Sequence, residues 1–452
     1  MGIGAMFGTL NTVQAIWLKS QYPIKEENVI CALSILTRQI PHLQFCLSKR
    51  KCRLWFKRMK NISVDFESST KDVMEVYEEL LETKYNLWTG PLWKVRMIIP
   101  NANNTNEEND SFTAAIIFSV QHSITDGTSN MRLCRDLVEI LNQISAGKSV
   151  VPKPIPLSPT IDNTMEGIPS VSFLAKYFCK KFLATMIKNF YHKTSFDGSL
   201  PVPETTETKT KVLYDEITES ETEALIKMCK AAKITVHSCI VAATNFALLK
   251  LAQSKTDNPL GKCAINVTHC VNMRKYFEPE HNDASGCHIS FVEDKSKMSL
   301  HESRDFWNQA QKVHSSIKEH LEVSKDQLRI VPLLRLASMI FPANVYLTKK
   351  GHKNKTDCHY VTTNMGNLKT MLPAPKEGDD VEITNVLRSV TSHLAGNPFL
   401  LTFHTFRNKF MVSIDYYTNK MTDETAQEFF NILLQFIRNL TQYGNLYGPP
   451  KY

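Results

Sequence analysis

Residues 121–127 of this 452-residue chain read Gln-His-Ser-Ile-Thr-Asp-Gly, and they separate two elements that the sequence predicts clearly. Residues 114–120 form an almost unbroken apolar run, which is typical of a strand buried on both faces. After the stretch, apolar residues recur three and four positions apart, which predicts a helix that ends near Gly147. His122 is therefore expected where a buried strand leaves its sheet, a junction that fixes a side chain while leaving it reachable.

The length and composition indicate a globular protein of two domains or lobes. A chain of 452 residues is too long for one ordinary core, and 42% hydrophobic with 9% aromatic residues is a normal composition. No apolar run approaches the roughly 18 residues of a transmembrane helix, and the N-terminus lacks the features of a signal peptide. The sequence therefore predicts a cytoplasmic protein, and we expect it to be a monomer.

Charge and cysteine usage narrow the function only a little. A net charge of +8 suits an anionic co-substrate, an anionic membrane or nucleic acid equally well. The eleven cysteines are scattered with no CxxC pair, which is typical of reduced thiols in packing positions. We find no zinc-ligand spacing, no glycine-rich phosphate loop and no aromatic-basic RNA motif, so no metal and no nucleic-acid partner are expected.

Hydrophobic periodicity predicts strands and helices along the whole chain. A capping box at Ser220–Glu223 is expected to begin one of the helices. A polar, Asn-rich loop is expected at residues 101–110. Strands are predicted at 9–18, 90–98, 212–217, 263–271, 381–390, 399–406 and 410–417, and helices at 25–38, 71–84, 220–232, 235–251, 306–317 and 422–442.

The composition divides the chain into three ranges. Residues 1–150 form an N-terminal lobe with the motif, residues 151–205 a crossover linker, and residues 206–452 a C-terminal lobe. The linker begins with four closely spaced prolines and continues into a predicted helix at 171–193, in which aromatic residues alternate with lysines. Two interpretations of this helix stay open: a crossover helix packed between the lobes, or an interfacial helix that contacts an anionic membrane.

The pattern His122-x-x-x-Asp126-Gly127 after a buried strand resembles the acyltransferase superfamily of chloramphenicol acetyltransferase, plant BAHD enzymes, yeast-type alcohol acetyltransferases, wax ester synthases and peptide condensation domains. Further segments follow in the order of that superfamily. Residues 36–43 partly match its Arg-His-Pro-x-Leu segment, and residues 91–93 its Pro-Leu-Trp strand. Arg274, directly after a predicted strand, is similar to the family Arg that pairs with the Asp of the His motif.

The C-terminal half extends the resemblance and indicates the branch. Residues 359–366 are similar to the Ser-Asn-x-Gly segment that lines the family's tunnel. The Asp-Phe-Gly-Trp-Gly signature of plant BAHD enzymes is absent from the sequence. Gln121 stands where condensation domains and wax ester synthases usually have a second His. These departures favour the alcohol O-acetyltransferase type.

The resemblance implies the chloramphenicol acetyltransferase-like fold: an α/β protein of two lobes, with mixed sheets flanked by helices and a tunnel between the lobes. It implies His122 as the general base. Asp126 is implied as the second residue of the catalytic motif, which acts through a structural ion pair with Arg274 rather than as a relay to the imidazole. Gly127, Thr363, Asn364 and Gly366 are implied as substrate-binding residues.

The implied reaction is transfer of an acyl group, expected to be acetyl, from acyl-coenzyme A to a hydroxyl of a lipophilic alcohol such as a terpenoid, sterol or fatty alcohol. Thr363, Asn364 and a backbone N–H near Gly127 all stay open as the oxyanion donor. His269 lies on a predicted buried strand face, where packing is favoured over a second base. Two alternatives stay open: a long-chain wax ester or acylglycerol synthase, and a ligand-binding member of the fold without catalysis.

Overall fold

The computed structural model describes residues 10–50, 53–99, 111–157, 208–277, 284–328, 358–391 and 396–447, together with the single positions 172, 175, 179 and 203. The predicted loop at 101–110 and nearly all of the predicted helix at 171–193 lie outside the described residues. The membrane-contacting interpretation of that helix therefore stays a prediction.

The described residues form thirteen strands and seven α-helices, with short 3₁₀ turns between them. The strands are β1 (Asn11–Ser20), β2 (Phe45–Arg50), β3 (Arg53–Arg58), β4 (Phe66–Ser69), β5 (Trp93–Ile98), β6 (Phe112–Gln121), β7 (Thr210–Ile217), β8 (Cys263–Asn272), β9 (Ile289–Met298), β10 (Tyr360–Asn367), β11 (Val381–Val390), β12 (Phe399–Phe406) and β13 (Lys409–Tyr417). The α-helices are α1 (Glu26–Gln39), α2 (Val73–Leu81), α3 (Gly127–Ser145), α4 (Glu219–Ala231), α5 (Val236–Ser254), α6 (Phe306–Leu328) and α7 (Asp423–Tyr443).

Two mixed sheets organise these elements, as the fold class predicted. The first has the order β11-β1-β6-β5-β4, and the second has the order β7-β13-β12-β10-β8-β9. In the first sheet only β4 and β5 are parallel, and in the second β10 is parallel to both of its neighbours. Strands β2 and β3 form a separate two-stranded hairpin, which the sequence patterns did not predict.

Apolar side chains fill the faces of both sheets. Helices α1 and α3 cover one face of the first sheet, and α2 covers the other. Helices α4 to α7 pack against the second sheet and form the largest cluster of buried apolar residues. Helix α5 is buried nearly all round, with fourteen of its nineteen residues buried, as expected of a helix without a polar face.

The first sheet takes its edge strand from the C-terminal half of the chain. Strand β11 pairs antiparallel with β1, from Thr12 to Ser20, although it belongs by sequence to the range 206–452. The predicted division of the chain into consecutive lobes did not include a strand of the C-terminal range in the first sheet. This pairing matters for the site because it brings Arg388 of β11 next to the His motif.

The capping box of α4 lies two residues earlier than predicted. Thr218 Oγ1 accepts a hydrogen bond from the Glu221 backbone N–H, and the Glu221 carboxylate accepts one from the Thr218 N–H. Both Thr218–Glu221 and Ser220–Glu223 fit the sequence pattern of this motif. Because β7 ends at Ile217, Thr218 is the first residue free to cap the helix.

Among the described helices, none alone has the length and apolar character needed to cross a bilayer. Helices α4 and α5 meet that test only when taken together, and they are bent by 100° relative to each other.

Asn142 of α3 binds Val381, the first residue of β11. Its side-chain N–H donates to the Val381 carbonyl at 2.9 Å, and its side-chain oxygen accepts from the Val381 N–H at 2.7 Å. We expect Asn142→Ala to lower the free energy of unfolding by about 1–3 kcal/mol, because two partly buried backbone groups lose their partner. Chemical denaturation measures this loss. Gln143→Ala, one residue further along α3, is the control, and an equal effect of both substitutions would contradict the role of Asn142.

Candidate active site

His122 directly follows β6. Backbone hydrogen bonds to the chain next to the two strands that flank β6 hold it in place. The His122 N–H donates to the Leu10 carbonyl at 2.8 Å, and the Gln121 N–H donates to the Leu92 carbonyl at 2.9 Å. The side chain is only 4% exposed. The junction of strand and helix that the sequence predicted is therefore present, and it leaves the imidazole little freedom to move.

The turn after His122 is built from side-chain hydrogen bonds. The Gln121 side-chain oxygen accepts from the Ser123 N–H at 2.6 Å, which tightens the chain as it leaves the sheet. Asp126 is the N-cap of α3, where its carboxylate accepts from the Ser129 N–H at 2.9 Å. Thr125 Oγ1 contacts the Asn130 side chain at 2.5 Å inside the first turn. Gln121 therefore has a local structural use in this turn.

Asp126 and Arg274 form a buried, bidentate ion pair. Arg274 Nη1 lies 2.8 Å from Asp126 Oδ2, and Nη2 lies 3.1 Å from Oδ1. The two side chains are 1% and 4% exposed. The carboxylate also accepts from the His288 N–H at 2.8 Å. The pairing that the family resemblance implied is thus present in the structure.

The other donors of Arg274 bind the chain around it. Nε donates to the Ala284 carbonyl at 2.7 Å, and Nη2 donates to Ser129 Oγ at 2.9 Å and to the Gly286 carbonyl at 3.2 Å. Arg274 follows β8 of the second sheet, whereas Asp126 begins α3 on the first. The pair therefore ties the two sheets together beside the His motif.

His122 and Asp126 differ in their ionisation state at neutral pH. Burial lowers the pKa of His122 to about 4, and the positive charge of Arg388 acts in the same direction. Burial opposes ionisation of Asp126, but the Arg274 guanidinium and the bound N–H groups outweigh it, so the pKa of this carboxyl lies below its usual value. At neutral pH the site therefore has a neutral imidazole and an ionised, fully engaged carboxylate.

Cys287 has a thiol in contact with the imidazole. Its Sγ lies 3.6 Å from His122 Nδ1. Burial raises the pKa of Cys287 to about 12, so the sulfur is a neutral thiol near pH 7. A neutral thiol is a weak nucleophile, and the pair does not have the electrostatics of a Cys–His nucleophile.

A cavity of about 300 Å³ opens beside His122. Of the residues predicted to bind substrate, Gly127, Thr363 and Asn364 line this cavity, whereas Gly366 is not among its lining residues. Gly366 instead has a left-handed backbone with φ of 70°, and its N–H donates to the Asn364 side chain at 2.7 Å. The structure thus brings three of the four predicted substrate-binding residues to the imidazole.

A second cavity of about 470 Å³ lies against the same turn. Thr125 and Ser129 line it, while His122 and Gly127 line the first. The two cavities share Thr370 and Met371 as lining residues. Both therefore adjoin the motif, and a continuous tunnel through the protein stays a prediction.

Gly127 is closely packed. A Cβ at this position would lie 2.6 Å from Met365 Sδ and 3.2 Å from Arg388 Cζ. A side chain here would therefore have to move the flexible end of Met365 and would press on the Arg388 guanidinium. Arg388 itself was missed by the sequence reasoning. The available signal was a single charged residue inside the otherwise mostly apolar end of a predicted strand.

His269 lies where the sequence reasoning expected it, on a buried strand face. Its Nδ1 lies 2.8 Å from Thr362 Oγ1 and 3.1 Å from His237 Nε2, and it is not among the residues that line the His122 cavity. Among the described residues, no group of three or more His, Cys, Asp or Glu side chains could hold a metal ion.

The fold corresponds to solved structures of the chloramphenicol acetyltransferase-like class. The trichothecene 15-O-acetyltransferase TRI3 of Fusarium sporotrichioides superposes with a TM-score of 0.74 at 13% identity, over 95% of this chain and 91% of that one. The first condensation domain of the calcium-dependent antibiotic synthetase superposes with a TM-score of 0.65 at 11% identity, over 98% and 94% of the two chains. At such identities the likeness shows the fold.

The family follows from the sequence itself. A family model described as alcohol acetyltransferase matches residues 53–437, which is most of the chain. The protein belongs to the alcohol acetyltransferase family. A search of curated protein sequences gives no match.

Asp126→Asn tests the structural use of the ion pair. We expect the variant to lose about 3–5 kcal/mol of stability, because Arg274 would keep a buried charge without its counter-charge. Thermal unfolding measures the loss. Glu139→Gln is the control. Glu139 lies on α3, the helix that Asp126 caps, and its exposed carboxylate is 3.5 Å from Lys376. A melting temperature of Asp126→Asn equal to that of the parent protein would contradict this role.

Proposed function

We propose that the protein transfers an acyl group, most simply acetyl, from acyl-coenzyme A to a hydroxyl of a lipophilic acceptor, with His122 as the general base. The observation that supports this most is a neutral, immobilised imidazole at the wall of a largely apolar cavity. Membership in the alcohol acetyltransferase family supports oxygen as the acylated atom.

His122 would move one proton in each direction during a turnover. The imidazole takes the proton of the acceptor hydroxyl as that oxygen attacks the thioester carbonyl. The new carbon–oxygen bond forms, the carbon–sulfur bond breaks, and the imidazolium returns the proton to the departing thiolate. The neutral thiol of Cys287 is a poor nucleophile, which favours this direct transfer over a covalent acyl-enzyme.

Asp126 would act on catalysis through position alone. All of its described hydrogen bonds go to Arg274 and to backbone N–H groups, and none goes to the imidazole. A relay from this carboxylate to His122 is therefore not part of the proposal. The backbone of the turn, held by Asp126 and Arg274, fixes where the imidazole lies.

The cavity wall supports an apolar acceptor. Val271, Ile289, Phe291, Val361 and Leu400 line it beside His122. Thr363 and Asn364 supply polar groups at the same wall and are the proposed contacts for the substrate oxygen. The positive net charge of the chain suits the phosphates of coenzyme A.

His122→Ala tests the general base. We expect the rate of thiol release from acetyl-coenzyme A, with a panel of lipophilic alcohols, to fall by about 10²–10⁴-fold, because proton transfer loses its positioned acceptor. Circular dichroism checks that the variant is folded. His301→Ala, an exposed histidine outside the cavity, is the control. A His122→Ala variant with parental activity would refute the assignment.

The pH dependence of kcat/KM tests the ionisation of the same residue. Burial lowers the pKa of His122 to about 4, so the imidazole is neutral and able to accept a proton above that pH. Since kcat/KM reports the free enzyme, its acidic limb should lie near pH 4 rather than near 6.5. The profile is measured only where circular dichroism shows a folded protein. An acidic limb at or above pH 6.5 would contradict a buried, neutral His122.

A further inference from the structure

Arg388 is a buried cation in the wall of the His122 cavity. It lies on β11 and is 3% exposed. Its Nε and Nη1 atoms are buried and have no hydrogen-bond partner in the part of the chain that the structure describes. It is the one Arg or Lys among the described residues that line this cavity. A buried guanidinium without partners is costly, and such groups are normally paired.

The carboxylates around Arg388 do not neutralise it. Within the described ranges, no carboxylate oxygen of an Asp or Glu forms an ion pair with its guanidinium. Asp126 lines the same cavity, but both of its oxygens are engaged by Arg274 and by backbone N–H groups. Burial raises the pKa of Asp415 to about 7, so this carboxyl is only partly ionised at neutral pH. Among the described residues, Arg388 therefore has no ionised carboxylate that is free to pair with it.

The start of α3 lies against the Arg388 guanidinium. The Arg388 guanidinium packs against Gly127, where an added Cβ would lie 3.2 Å from its Cζ. Gly127 is the first residue of a helix of 19 residues, and the N-terminus of a helix favours anions. The Asp126 carboxylate already caps this end of the helix, so the Arg388 guanidinium is the group left to bind an anion at this point of the cavity, close to His122.

The rest of the wall restricts the kind of anion. Val271, Ile289, Phe291, Val361 and Leu400 make most of it apolar. A highly charged group such as a pyrophosphate would leave several charges against this apolar surface. A molecule with one carboxylate and an apolar body satisfies both parts of the cavity.

We propose that the acyl acceptor is a hydroxy acid whose carboxylate pairs with Arg388 while its hydroxyl lies at His122. This proposal deepens, and rests on, the proposed function. The apolar body of the acceptor would contact the aliphatic and aromatic wall. The carboxylate would supply acceptors for a guanidinium whose Nε and Nη1 have none among the described residues.

Pairing at Arg388 would also strengthen the base. The charge of Arg388 contributes to the low pKa of His122, although burial is the larger cause. A bound carboxylate offsets that charge, so the imidazole becomes a better proton acceptor only when the acidic acceptor is present. The acidic limb of kcat, which reports the complex, should then lie at higher pH than that of kcat/KM for a hydroxy acid, but not for its methyl ester.

A matched pair of acceptors tests the proposal. We compare 3-hydroxydecanoate with its methyl ester, which has the same hydroxyl and chain but no charge. We expect the parent enzyme to prefer the acid by about 10–100-fold in kcat/KM, the size of a charge-assisted hydrogen bond. Arg388→Met should bring the ratio of kcat/KM for acid to that for ester close to one. This ratio is the readout, because the substitution also removes the Arg388 charge from His122 with either acceptor. Arg135→Met, an arginine that lines the other cavity, is the matched control and should keep the preference.

Two results with these variants would overturn the proposal. An equal loss of kcat with acid and ester in Arg388→Met would mean that the guanidinium stabilises the developing oxyanion instead. A loss of coenzyme A binding in Arg388→Met, measured by calorimetry, would mean that it contacts a phosphate. Arg388→Gln provides a polar second variant if Arg388→Met does not fold.

A binding measurement separates this proposal from the proposed function. Decanoate has no hydroxyl and cannot react, so calorimetry reports the anion site alone. Binding of decanoate to the parent protein but not to Arg388→Met supports the site even if no alcohol is acylated. No preference of the parent protein for decanoate over methyl decanoate would refute the site even if neutral alcohols are acylated.

Discussion

The buried ion pair between Asp126 and Arg274 is the constraint on which the site depends. Removing two charges from water costs several kcal/mol for each ion, and only close geometry with further hydrogen bonds offsets that cost. Here the guanidinium reaches both carboxylate oxygens, and its remaining donors bind the carbonyls of Ala284 and Gly286 and the hydroxyl of Ser129. Because its partners come from both sheets, the pair fixes the relative position of the two walls of the cavity.

That arrangement separates structural from chemical roles within a motif of six residues. Asp126 accepts four hydrogen bonds, two from Arg274 and two from backbone N–H groups, so no lone pair is left to orient an imidazole. His122 is held instead by its backbone, which the neighbouring strands bind on both sides. The carboxylate and the imidazole therefore differ in the direction of their electrostatic tuning: one is held ionised, and the other is held neutral.

Local patterns in the sequence were sufficient for the elements around the motif. The apolar run before His122 and the helical spacing after it predicted β6 and α3, with boundaries within about two residues of those observed. The ion pair came from the family resemblance, since nothing local links two residues 148 positions apart. The pairing of β11 with β1 was not predictable in the same way, because strand patterns indicate a buried face but not the neighbouring strand.

The contrast between the two buried arginines is the strongest argument for a function of Arg388. Arg274 and Arg388 are both 3% exposed, and both lie beside the same helix N-terminus. Arg274 is hydrogen-bonded through all three of its nitrogens, as expected of a residue that stabilises the fold. Arg388 leaves two nitrogens without a partner in the described chain, although its burial is the same. A fold that can satisfy one guanidinium so fully has no need of a second, unsatisfied one for stability, and the unsatisfied one faces the cavity of His122. A bound ligand with a negative charge would give Arg388 the hydrogen-bond acceptors that Arg274 already has.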